Sequence, residues 1–373
     1  MGLKFSVTCG LFELMLLTLF AVLVKYGERA MPPWRRISQD VNKSSEVHVH
    51  TGSENDVPIL YPFFQDVNVI VFFGVGLLMT FLKKYGYSGV GYNFFIAALL
   101  SQWGAIVNGC FNQIYIDGKD HIEIGLRSLI SAEYAAVTVL ISFGVVLGKV
   151  SRLQLLVIGI LDILFYAVNN LLAVKYLKYS DAGGSIFLHA FAAYFGLALS
   201  WILYNENSLD NYNEGSSYHS DISAMIGKIS FLAKSLKIHD TCGVHNLHGI
   251  PGIFGGIAGA VITALAQVDS YGYEGLFSVW GARAPKMNSI EYWELKNMSV
   301  KFDVGDERSA FVQAGYQVAG IMVTLAISIF GGIVTGLIVK REIFDPPAEE
   351  QLFDDEDFWV LPQKHIEGYE NID

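Results

Sequence analysis

Long apolar runs alternate with short polar breaks along the whole of this 373-residue chain. Eight of them approach the roughly 20 residues that a helix needs to cross a hydrocarbon core. They predict helices over about 5–27, 60–82, 88–110, 123–148, 153–174, 184–204, 245–266 and 312–339. Barrel strands would alternate every second residue, and these runs do not, so of the two backbones that satisfy themselves in lipid the helix is expected. The fold class is therefore all-α, a polytopic membrane helix bundle. The first run, from about Phe5 to Val24, is too long for a signal-peptide core and lacks a small-residue cleavage site; it is read as the first spanning helix. A ninth piece from Asp221 to Lys237 is amphipathic, too short to span, and broken by Lys228, Lys234 and Lys237. It fits an interfacial helix or the stub of a broken one.

Composition agrees: 52% of residues are hydrophobic and 16% charged, with mean hydropathy +0.39, which argues against a soluble domain. The net charge of -11 is concentrated in loops and at the C-terminal end. DPPAEEQLFDDEDFW, from Asp345, reads as a solvated acidic tail, giving a membrane domain over 1–339 and a cytoplasmic tail over 340–373. Cys9, Cys110 and Cys242 lie in or beside apolar segments and define no disulfide framework. Asn42-Lys43-Ser44 and Asn297-Met298-Ser299 are glycosylation acceptors. Counting crossings places both on one side if the termini are cytoplasmic. Lys83, Lys84, Lys149 and Arg152 then fall inside, as the positive-inside rule asks. Arg29, Arg35, Arg36, Lys175 and Lys178 fall outside and weaken the rule.

Two histidines stand deep in apolar, small-residue segments: His189 in DAGGSIFLHAFAAYFG and His248 in HNLHGIPGIFGGIAGA. An ionisable side chain there is costly and marks a permeation or proton-handling site by default. Two neutral imidazoles in contact could share a proton and line a path for a small polar solute such as ammonia. The alternative is two satisfied core histidines in unrelated places. Asp181 opens its helix and fits a capping carboxylate, with direct recruitment of a cation as the other role open to it. His189 lies eight residues further on, roughly 12 Å deeper. His239, Cys242, His245 and His248 step by three, which drifts around a helix instead of converging on a metal; His245 fits a pore-border position or a bond to a backbone carbonyl. Tyr134, beside Glu133 in a spanning run, reads as core when taken alone. Gly252–Gly256, Gly255–Gly259 and Gly332–Gly336 have the spacing of closely packed membrane helices, and Pro251 marks a helix start or break. No nucleophile–base set, cofactor motif, metal spacing or nucleic-acid-binding feature appears.

Four stretches resemble the Rh glycoprotein branch of the ammonium transporter superfamily: YPFFQDVNVIVFFGVGLLMTFLKKYGYSGVGYNF, SLISAEYAAVTVLISFGVVLGK, DAGGSIFLHAFAAYFGLALSWILY and DTCGVHNLHGIPGIFGGIAGA. The resemblance extends over nearly the whole chain. It implies a trimer whose protomers each conduct ammonia, ammonium losing its proton on the way. His189 and His248 fall on the family's paired pore histidines, Asp181 on its buried aspartate, and Tyr134 where a gate phenylalanine is usual. Asn170 stands where many members carry an acidic vestibule residue. The family has a dozen spanning helices against eight here. About a hundred residues, the length of three to four helices with loops, are expected to be missing at a join near 231–240. That absence raises a second expectation: a non-conducting chain that associates with full-length members, as a structural or regulatory subunit.

Overall fold

The computed structural model describes residues 2–30, 56–209, 211–215 and 236–359. Eight long helices organise it: α1 (Gly2–Leu23), α2 (Asp56–Leu78), α3 (Gly86–Ile116), α4 (Leu126–Val145), α5 (Arg152–Leu177), α6 (Ala182–Ile202), α7 (His245–Leu265) and, last in the chain, the 30-residue Ala310–Val339. All eight are long and apolar enough to span a membrane, as the hydrophobic runs predict. The chain is an all-α, multi-pass membrane bundle. Asn42, His48, His50, His219, His365 and the piece from Asp221 to Ser235 lie outside the described residues.

The expected ends need three corrections. Val24–Tyr26 is not the last turn of α1 but a short strand, β1, paired in parallel with β2 (Ile122–Ile124). The β-branched and aromatic residues of both segments fit a strand, and extended Gly125 separates β2 from α4. Second, the stretch before the last helix carries α8 (Val268–Val279) and α9 (Ile290–Asn297), which cover a small core of Leu276, Phe277, Trp280 and Leu295. The last helix is accordingly α10. Third, residues beyond Asp345 do not extend freely into solvent. Phe353 is fully buried, its N–H donating to Gly148 O at 2.9 Å. Asp355 accepts from the N–H groups of Tyr87 and Ser88 at the start of α3, where a carboxylate satisfies donors the helix leaves open. Trp359 Nε1 donates to Ser88 Oγ. Side chains, not net charge, decide the packing of this segment.

The β-ribbon and α8–α9 lie at one end of the bundle, the ribbon face; residues 340–359 lie at the other, the tail face. The descent from Ala30 and the return at Asp56 both sit at the ribbon face, where Arg127 bridges Asp56 at 3.0 Å. The exposed Asn297 occupies that same face.

α6 is the central helix, packed against α4, α7 and α10. Small residues permit this. A Cβ on Gly252 would lie 2.6 Å from Ser185 O, and one on Gly332 2.3 Å from Phe195 O. Backbone meets backbone at both positions, so glycine is required there. Gly259 is different: its nearest neighbour would be Gln317 Nε2 at 3.7 Å. α7 covers α6 on one side only, leaving Phe254, Val261 and Leu265 largely exposed.

Candidate functional site

His189 and His248 meet. Their Nδ1 atoms stand 3.1 Å apart, with ring planes 9° from parallel and centroids separated by 5.2 Å. Both rings are half-buried. One Nδ1 must donate and the other accept, so a single proton lies between two neutral rings. Each histidine sits in a local five-residue hydrogen-bond turn: Phe191 N–H bonds Ile186 O, and Ile250 N–H bonds His245 O. Such widened turns rotate the side chains that follow and recur at functional sites.

Each histidine helix starts under a carboxylate. Asp181 Oδ2 accepts from Ile186 N at 2.7 Å and Phe187 N at 2.9 Å, the capping geometry expected of it. Asp240 does the same for α7, its two oxygens accepting from Val244 N and His245 N at 2.9 and 2.8 Å. The sequence reading missed Asp240, although the signal is plain in retrospect: Asp181 precedes His189 by eight residues, and Asp240 precedes His248 by eight.

At the ribbon face the approach to Asp181 is held by α10. Gln317 Oε1 accepts from Ser180 N at 2.7 Å while its amide donates to Ser180 O, and Gln313 donates to Lys178 O. Lys178 and Arg308 both pair with Asp306.

Tyr134 and Phe187 pack, partly buried, against the same cluster of Ile141, Leu188 and Ala192. His245 lies one turn before His248, edge-on to Tyr194 at 5.8 Å, with a buried Nδ1 lacking a hydrogen-bond partner among the described residues. Asn170 is half-buried on α5; its neighbour Asn169 accepts from Thr324 of α10. A second missed residue is Asp162, fully buried within α5, where Thr138 Oγ1 reaches Oδ1 at 3.1 Å. An aspartate inside a spanning run carries the same signal as the histidines, although the surrounding LDILF does not say what it packs against. Among the described residues no cluster of histidine, cysteine and acidic side chains could hold a metal.

Two capped helices thus enter from opposite faces of the bundle and meet at a histidine pair. The model of the Ammonium Transporter Family matches residues 48–232 and 228–356, most of the chain, and the chain belongs to that family. Its curated relatives narrow the branch. The chain is 31% identical to the ammonium transporter Rh type C of Canis lupus familiaris, over 97% of this chain and 94% of that protein. It is 32% identical to the Rh type B protein of Oryzias latipes, with the same coverage. The solved structure of Nitrosomonas europaea Rh50 has the same fold, with TM-score 0.59 and 19% identity over 84% of this chain and 93% of that one. This is a transporter family and not an enzyme family. The dog alignment runs over 461 residues, yet 97% of a 373-residue chain enters it, so about a hundred aligned positions, the length of about four helices with loops, have no counterpart here. The two family matches meet at 228–232, beside the expected join.

Proposed function

We propose that the chain moves ammonium across a membrane as ammonia, along a path past His189 and His248. The observation that carries this reading is the 3.1 Å contact between two imidazoles on helices that start at opposite faces. A shared proton leaves the outer ring nitrogens to meet a small neutral solute, while an ammonium ion must shed its proton first. Asp181 fixes the start of α6 and attracts the cation, Tyr134 takes the place of a gate ring, and His245 borders the path. The ribbon face is extracellular, carrying Asn297 as a glycosylation site, and Asn42 is a second acceptor by sequence; both termini are cytoplasmic, the membrane is the plasma membrane, and the assembly is a homotrimer.

Stopped-flow measurement on vesicles carrying the purified chain tests this. Alkalinisation on an ammonium gradient should exceed that of empty vesicles, and His189→Ala should change the rate. Equal rates for chain and empty vesicles, or for the variant and the parent, would sink the proposal.

A second reading has its own support. About a hundred family positions are absent, and the outer face of α7 lacks the helices that would complete a wall, with Phe254 72% exposed. In this reading the chain is a non-conducting subunit joined to full-length relatives. Co-expression with a tagged relative decides it: co-purification without flux supports the subunit reading, and flux from the chain alone rejects it.

A further inference from the structure

Lys149 lies in the turn between α4 and α5, and the transport reading gives it no task. Its ammonium donates to His239 O and approaches Ser200 Oγ at 3.4 Å; Ser200 Oγ donates to the same carbonyl at 2.7 Å. Ser200 belongs to α6, the helix of His189. His239 immediately precedes Asp240, whose carboxylate caps the helix of His248. One carbonyl thus ties the tail-face ends of both histidine helices together, with Lys149 as the clasp. Thr241 N and Cys242 N bond to Val145 O and Gly144 O and lay the intervening strand against α4.

The numbering gives this clasp a geometric meaning. His189 is eleven residues from Ser200, and His248 is nine from His239. Along α6 the eleven residues rise about 16 Å at about 1.5 Å each, whereas His248 stands only three residues into α7, whose start is reached through a non-helical turn over 239–243. Pinning His239 O to Ser200 therefore fixes that turn, and with it the start of α7, at one level along α6. A slip of one residue in α7 would shift its ring by about 1.5 Å along the axis and lengthen the 3.1 Å contact.

From this geometry we infer that Lys149 is a positioning residue for the histidine pair: its ammonium holds the His239 carbonyl at Ser200 and so sets the depth of His248 against His189. The functional part of this inference rests on the transport reading; the structural part does not.

The groups facing the clasp are Asp240 and Glu214, the Cys242 thiol, and the His239 ring, which bonds Glu214 at 2.7 Å, approaches Ser208 Oγ at 3.4 Å and lies against Phe353. Burial pulls the Lys149 ammonium down to about 8, with Asp240, Glu214 and Cys242 offsetting part of that. Burial and Lys149 lower His239, with Glu214 and Asp240 opposing. Burial raises the thiol well above its usual value. The clasp is therefore charged below about pH 8 and loses its charge above it.

Hydrogen exchange and flux on the full chain in lipid, with Lys149→Met and Lys149→Arg, test the inference. Lys149→Met should speed exchange of the amides of 240–249 at least tenfold and cut ammonia flux at least tenfold, while Lys149→Arg keeps both. At constant ammonia, parent flux should fall as tail-side pH passes about 8, and Lys149→Arg should remove that fall. Parental protection in Lys149→Met, or the same alkaline fall in Lys149→Arg, overturns the inference. A parent without flux whose exchange responds as described rejects the transport reading and leaves the clasp standing. Should Lys149→Met not fold, the exchange of parent and Lys149→Arg across pH 8 decides: loss of protection in the parent alone supports the clasp, and equal behaviour overturns it.

Discussion

A single added methyl group should separate the two histidines. In Gly252→Ala the new Cβ would stand 2.6 Å from Ser185 O and 2.8 Å from Ala190 N, both backbone atoms with no rotamer to retreat into. Relief requires α7 to withdraw from α6 by about 0.8 Å, the shortfall from an ordinary contact of 3.4 Å. Added along the line of centres, that takes the 3.1 Å Nδ1 contact to about 3.9 Å, outside hydrogen-bond range. Overpacking of this kind costs about 1–3 kcal/mol, against a gain of about 1 kcal/mol from replacing a helical glycine. Gly259→Ala, on the same helix, meets only Gln317 Nε2 at 3.7 Å, an ordinary contact, and keeps the gain without the clash. Thermal unfolding in detergent should rank Gly259→Ala above the parent and Gly252→Ala below it, and vesicle flux should fall only in Gly252→Ala. Indistinguishable melting and flux for the two variants would refute the reasoning.

Two further outcomes follow from packing at the tail face. Asp240→Ala removes the carboxylate cap of α7 and should cost about 0.5–2 kcal/mol, with faster exchange at Val244 and His245; unchanged exchange there would show that the cap does not hold the helix start. Phe353→Ala vacates a fully buried site, where such truncations cost about 3–5 kcal/mol. Limited proteolysis should then cut between Asp345 and Trp359 while α10 stays intact, and parental resistance would contradict the docking of that segment.

The spanning helices were legible because a bilayer demands long apolar runs, and each of the eight runs matches one. Their ends were less so. Lys25 and Tyr26 continue an apolar run by composition, yet pair with residues a hundred positions away, a contact no local pattern carries. The acidic tail misled for a related reason: Leu352, Phe353 and Trp359 are scattered among the seven acidic residues of 345–359, and their docking depends on sites such as Gly148 and Ser88 supplied by distant turns. The histidines could be picked out by their cost in an apolar setting. Their contact was implied by the family resemblance and not by the local pattern, since it depends on close packing such as that at Gly252. Asp240 was readable from its repeated spacing and Asp162 from its place inside a spanning run, but its partner Thr138 only from the packed bundle.

The paired caps described above have a consequence for direction. Asp181 and Asp240 close helices that run antiparallel, so the backbone dipoles of α6 and α7 oppose and their fields largely cancel along the path between them. A solute arriving from either face meets a carboxylate-capped helix start eight residues from a histidine. On the transport reading these helices supply no electrical slope that favours one journey over its reverse, and with the tail side below about pH 8 the conduit should not rectify: inward and outward rates should match when the ammonia gradients are mirrored, leaving the sense of net flow to the compartments on either side.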